Sequence, residues 1–188
     1  MQFTPEKLAD GNVSEKVTLA DFNFPPHVYP VGRLDFDSEG LLLLSDDGRL
    51  TTALFEGDAA HERTYLTQVE NVPSRGALDD LAHGVVLSGG VGAGKKTKPC
   101  RVRMLEHEPD LPERGKPVRF RKSIPTAWLE MQLTQGLNRQ VRRMTAAVGH
   151  PTLRIYRVAI GDLHLGDLDI EPGQWRELSE DEVLKVFL

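Results

Sequence analysis

The sequence predicts an α+β domain, and three observations carry that prediction. Runs at 64–70, 100–107 and 127–134 alternate apolar and polar residues, the period of half-buried strands. Segments 77–83 and 138–148 instead carry helical spacing with recognisable start and stop residues. Strand and helix patterns do not alternate in the regular order that a parallel βαβ sheet requires.

Each element has a local cause. Residues 1–26 are polar, and Pro25-Pro26 separates them from Val28–Asp35, which reads as extended. Leu41–Leu44, bounded by Gly40 and by the Asp46-Asp47-Gly48 turn, is too short for a helix and suits one buried strand. Asp46 or Asp47 can cap a helix running to about Phe55, with Leu50, Ala53 and Leu54 on one side. Thr64–Glu70 reads as a strand, Ala77–His83 as a helix stopped by Gly84, and Cys100–His107 and Ala127–Thr134 as further strands. Asn138–Val148 is the best-specified helix. Asn138 caps it, Val141, Met144 and Val148 form its apolar stripe, and Gly149 and Pro151 end it. Arg139, Arg142 and Arg143 fall at i, i+3 and i+4 and so share the opposite side. Pro151–Leu165 returns as a strand, and a short helix starts at Ser179.

The 188 residues suit one domain, or two small subdomains sharing a core, large enough to fold without staples. Cys100 is the sole cysteine, which excludes an internal disulfide and argues against a cysteine-based zinc site. No apolar run approaches membrane-spanning length, and the first residues are not a secretory signal, so a soluble cytoplasmic protein is expected. Net charge is −5, but it is unevenly distributed: residues 114–157 hold ten basic side chains against Glu130 alone. A +9 segment on a −14 remainder suggests a basic face for nucleic acid.

Residues 32–48 concentrate the chemistry. Asp35, Asp37 and Glu39 crowd in just before the leucines, so a carboxylate stands at the mouth of a core strand, where packing can hold it rigidly. An arginine from the 138–148 helix can keep such an acid ionised and leave its neighbours free for phosphates. Two other motifs fail on context. Gly89–Lys96 resembles a phosphate-binding loop but has Lys96 where magnesium needs Ser or Thr, and Pro99 forbids the helix that should follow. Asp35-x-Asp37-x-Glu39-Gly40 starts like a calcium loop, but Pro30 and Gly32 precede it, leucines follow, and Asp46 stands where a bidentate Glu is usual. The six histidines show no metal-ligand spacing. On residue pattern alone the chain is an α+β RNA-binding domain.

Gly32-Arg33-Leu34-Asp35, Ser38-Glu39-Gly40-Leu41-Leu42-Leu43-Leu44 and Asp47-Gly48 resemble the signature of the RsuA-type pseudouridine synthases. Gly136-Leu137-Asn138-Arg139-Gln140-Val141-Arg142-Arg143-Met144, with Val148-Gly149-His150-Pro151, is similar to that family's second motif. Thr64-Tyr65-Leu66 and Thr97-Lys98-Pro99 resemble smaller blocks between them, in the family's order. Gln2-Phe3-Thr4 and Arg121–Thr126 are most similar to the branch that modifies large-subunit (23S) rRNA. Gln135, Arg63 and Cys100 stand where Glu, Lys and Ala are common. The family's opening strand and an S4 RNA-binding module are both expected to be missing upstream.

The resemblance implies a mixed, mostly antiparallel sheet flanked by helices, with subdomains 1–60 and 61–188 sharing it. It implies isomerisation of a uridine in rRNA to pseudouridine by a monomer without metal or organic cofactor. Asp35 is then the catalytic residue, as nucleophile, base or stabiliser of positive charge on the sugar. Tyr65 lies against the target base, Arg142 ion-pairs with Asp35, and Val141 supplies an apolar wall. Arg33 fills the gap left by the flipped uridine. Lys98, Arg121, Lys122, Arg139 and Arg143 are the implied phosphate contacts. The rivals are a catalytically silent RNA-binding module and a calcium-binding structural protein.

Overall fold

The strands expected at 64–70 and 127–134 pair with each other and form the centre of the molecule. The computed structural model describes residues 17–55, 61–114 and 123–188; Gln2-Phe3-Thr4, Arg121 and Lys122 lie outside the described residues. In chain order the elements are β1 (Tyr29–Val31), β2 (Glu39–Gly40), β3 (Leu43–Ser45), α1 (Arg49–Phe55), β4 (Arg63–Glu70) and α2 (Arg75–His83). They continue with β5 (Arg101–Met104), β6 (Thr126–Leu133), α3 (Gln140–Ala147), β7 (Thr152–Ile160), β8 (Leu163–His164) and α4 (Glu180–Val186).

β4 and β6 run antiparallel in unbroken register from Arg63 opposite Leu133 to Glu70 opposite Thr126. The six-stranded sheet has the order β2-β7-β4-β6-β5, with β8 folding back on β7. Only the β2–β7 pairing is parallel, so the sheet is mixed and mostly antiparallel, as an α+β fold requires. β1 and β3 form a separate antiparallel ribbon.

Two cores follow from this layout. Val69, Leu129 and Met131 from the sheet meet Leu81 of α2 and Met144 of α3, all essentially without exposure. Each fully buried side chain of this size contributes about 1.5–3 kcal/mol. The second core joins Val31, Leu41, Leu43 and Leu54 to Ile160, Leu163, Leu168 and Val186. Among the described residues no helix is long and apolar enough to cross a membrane.

Five expectations need correction. The leucine run is not one strand. Gly40 pairs with Arg157 in the large sheet, the chain bends through Leu41 and Leu42, and Leu43–Ser45 joins the small ribbon. The 151–165 strand is a hairpin that turns after Ile160. Ala53 is exposed, so α1 buries only Leu54 fully. The cap of α3 is Arg139, in left-handed backbone at φ 47°, and not Asn138. Gln140 explains the shift: its Oε1 accepts from the Leu137 N–H at 2.8 Å, so the helix is fixed by its own first side chain. α2 begins earlier than expected because the Ser74 hydroxyl accepts from the Ala77 N–H.

Candidate active site

Asp35 opens a tight turn between β1 and β2, closed by the Ser38 N–H donating to the Asp35 carbonyl at 3.0 Å. Phe36 projects from its apex, 57% exposed. The turn is held from beneath by Arg157, a β7 residue that is only 2% exposed. Arg157 Nε donates to the Leu41 carbonyl at 2.8 Å, and Nη1 reaches the Arg33 carbonyl at 3.5 Å. One buried guanidinium therefore spans both ends of the segment that carries Asp35. Its Nη2 has no hydrogen-bond partner among the described residues, where burial of an unpaired donor carries a cost.

α3 supplies the opposing charge. Arg139 forms a two-pronged pair with Asp37, Nη1 to Oδ1 at 2.9 Å and Nη2 to Oδ2 at 3.0 Å. Its Nη1 stands 3.8 Å from Asp35 Oδ2. Arg142, more deeply set, donates from Nη2 to the Asp37 carbonyl at 2.9 Å and lies 3.3 Å from Asp37 Oδ2. Arg114 donates to the same carbonyl and pairs with Glu39, which also takes both prongs of Arg154.

Asp37 is the hub of this cluster, and it was not among the residues expected from sequence. The Arg139 hydrogen bonds hold its carboxyl below the usual carboxylate range; partial burial opposes them and the Arg142 charge assists. For Arg142, burial pulls the guanidinium pKa down and the Asp37 charge raises it. The Asp37–Arg139 pair is 40% and 44% exposed, so its net contribution is at most about 1 kcal/mol.

The expected Asp35–Arg142 pair is therefore not the pair that forms. Arg142 ion-pairs with Asp37 and meets Asp35 only through a longer-range charge interaction, and among the described residues the cation within 4 Å of Asp35 is Arg139. Among the described residues the Asp35 carboxylate accepts no hydrogen bond.

The remaining candidates fall at graded distances from this centre. Arg33 is exposed beside Asp35. Tyr65 is half-buried on β4, opposite Met131 on one side and Arg157 on the other, and packs against the core that contains Val141. Lys98 is exposed, and its backbone N–H donates to Gln135 just ahead of α3.

Arg143 points away from the acids. It donates to the carbonyls of Ser88, Gly89 and Val91, bracing the glycine-rich loop against α3. That loop is a hairpin, with Val86 bridged to Lys96 and the Leu87 N–H donating to Lys95.

The basic segment is thus partly structural: Arg157 is buried and Arg154 is paired with Glu39. Arg63 is a further buried cation, its guanidinium 4.9 Å above the Phe55 ring, with Nε and Nη2 lacking a hydrogen-bond partner among the described residues. Among the described residues no group of three or more His, Cys, Asp or Glu could hold a metal. The acids of the calcium-like motif face guanidiniums instead.

The profile of the family described as RNA pseudouridylate synthase matches residues 1–147. The chain is 52% identical over 170 residues to the ribosomal large subunit pseudouridine synthase E of Xanthomonas campestris pv. campestris, covering 90% of this chain and 87% of that protein. It is 46% identical over 162 residues to the protein of the same name from Vibrio vulnificus, covering 86% and 66% of the two chains. A solved crystal structure of a pseudouridylate synthase superposes with a TM-score of 0.72 at 27% identity, over 90% of this chain and 65% of that one.

Proposed function

The chain belongs to the RNA pseudouridylate synthase family, and from that premise we propose that it isomerises one specific uridine of large-subunit (23S) rRNA to pseudouridine, with Asp35 as the catalytic group. The observation that carries the assignment is the state of Asp35. Its carboxylate stands at a rigid turn beside a guanidinium 3.8 Å away, while Asp37 takes the hydrogen bonds that would otherwise occupy it.

The reaction breaks the bond from uracil N1 to ribose C1′, turns the base and joins C5 to C1′. The proton leaves C5 and N1 regains one, so nothing is consumed. A carboxylate that accepts no hydrogen bond among the described residues suits this work as nucleophile at C1′, as base, or as the anion opposite positive charge on the sugar. Chemistry at C1′ and C5 of a stacked nucleotide requires flipping it out, and exposed Arg33 is placed in this reading to fill the gap.

Tyr65 lies against the base and assists loss of the C5 proton, and Val141 walls the pocket. Arg142 orders the turn through Asp37. Arg139, Lys98, Arg121 and Lys122 meet phosphates, while Arg143 contributes by carrying the hairpin that bears Lys95 and Lys96. The enzyme acts in this reading as a cytoplasmic monomer, on free rRNA or on a ribosomal precursor.

Mapping pseudouridines in 23S rRNA from cells with and without the gene tests the substrate. One position is expected to lose its modification and to regain it on complementation; an unchanged map overturns the large-subunit assignment. Tyr65→Phe is expected to slow single-turnover conversion by at least about 100-fold, the scale of a lost proton-transfer group, with RNA affinity barely altered. Equal losses in both quantities assign Tyr65 to packing alone.

A further inference from the structure

We propose that the hairpin from Val86 to Lys96 is a phosphate-binding finger. It grips the RNA strand beside the target nucleotide through Lys95, Lys96 and the backbone N–H groups of Gly89, Gly90 and Gly92. The inference rests on the reading of RNA as the substrate and deepens it. It also gives a role to the glycine-rich motif, which resembles a nucleotide-binding loop but lacks that loop's Ser or Thr and its helix.

The base of the hairpin is fixed and its tip is open. Leu87 and Thr97 are buried, and the Thr97 hydroxyl accepts from the Val85 N–H at 3.0 Å. Val91 at the tip is 80% exposed, and a methyl group at Gly89 or Gly90 would meet nothing within 4 Å.

Arg143 gives this tip its polarity, because its guanidinium takes the carbonyls of Ser88, Gly89 and Val91. In a trans peptide the N–H points opposite to the C=O. The peptides here are trans, so the N–H groups of Gly89, Gly90 and Gly92 are turned away from Arg143. They donate to nothing among the described residues. One side of the loop is saturated by a cation, and the other presents bare donors, the backbone arrangement that binds anions.

Charge points to the same partner. Residues 81–105 contain no Asp or Glu and five Lys or Arg. Arg101 and Arg103 are paired with Glu62 and Glu130, whereas Lys95 and Lys96 are exposed and form no ion pair among the described residues. The finger also stands beside the active turn. Arg143 Nη1 donates to the Asn138 carbonyl, and the next residue, Arg139, is the one 3.8 Å from Asp35.

The experiment measures binding of the full chain to a short single-stranded RNA across a range of salt concentrations, alongside a thermal melt. Conversion of a 23S rRNA transcript is followed in parallel with enzyme in excess. Lys95→Ala combined with Lys96→Ala is expected to weaken binding by about 10-fold at low salt and to flatten the logarithmic salt slope by about 1.4, two phosphate contacts. The enzyme concentration that half-saturates conversion rises by the same factor. Gly90→Asn tests the backbone donors. Asn tolerates the left-handed φ of 64° at this position, so the hairpin keeps its shape while the side chain covers the N–H. Affinity is expected to fall about threefold or more, the worth of one hydrogen bond, with the slope unchanged. Arg143→Gln added to the lysine variant costs less than the product of the separate losses, because Arg143 acts through the hairpin.

An unchanged slope in the lysine variant, unchanged affinity in Gly90→Asn, or fully multiplicative losses with Arg143→Gln overturns the proposal. If the parent converts no uridine while the lysine variant still loses affinity and slope, the finger stands and the assigned reaction fails.

Discussion

Asp35→Asn is expected to lower pseudouridine formation by at least about 10⁴-fold, the scale on which removal of a central reacting group acts. The amide keeps the shape of the side chain and cannot ionise, so it can neither attack C1′ nor oppose charge on the sugar. The structure makes this substitution unusually clean. Among the described residues Asp35 accepts no hydrogen bond, and its ion pair there is a 3.8 Å contact to an arginine already engaged by Asp37. Its loss should cost no more than about 0.5 kcal/mol of stability, the usual effect of a surface change away from special features. RNA affinity should remain within a few fold. Single-turnover assays, a thermal melt and a binding isotherm check the three parts together. Retained turnover removes Asp35 from the chemistry.

Gly40→Ala is expected to destabilise the fold by about 3 kcal/mol or more, lowering the melting temperature of a chain this size by roughly 6–12 °C. Two penalties coincide at this position. Its φ is +103°, a conformation that costs an L side chain about 1–3 kcal/mol. A methyl group there would also stand 2.2 Å from the Arg157 carbonyl oxygen and 2.6 Å from its nitrogen, both main-chain atoms of a buried strand. Relief requires β2 to leave β7, and with it the turn that carries Asp35. Calorimetry reads the first effect and conversion rate the second. A variant that melts within a degree or two of the parent shows that β2 is not what anchors the site.

Local features of this chain were legible in its sequence; relations between distant segments were not. Asp47 ahead of α1, Gly84 behind α2 and the stripe of Val141 and Met144 depend on neighbours a few residues away, and local sequence signals reveal such features. The leucine run was opaque because four identical residues hide where the chain bends. The bend is set by β7, more than a hundred residues later, where Gly40 meets Arg157. The same distance explains the exchanged ion pairs. The motif singles out Asp35 on paper, and which arginine meets which acid is decided by a contact between segments 102 residues apart. Arg157 was counted with the basic surface although its burial had a signal. It alternates with Ile155 and Ala159, two core positions of the same strand.

Arg157 grips the backbone oxygens of positions 33 and 41, and a carbonyl is the same whatever side chain its residue bears. The scaffold of the reactive segment is for that reason indifferent to the identity of residue 33. In the proposed reading, exchange at that exposed position alters how the protein engages RNA without disturbing the frame around Asp35. Position 157 has no such freedom.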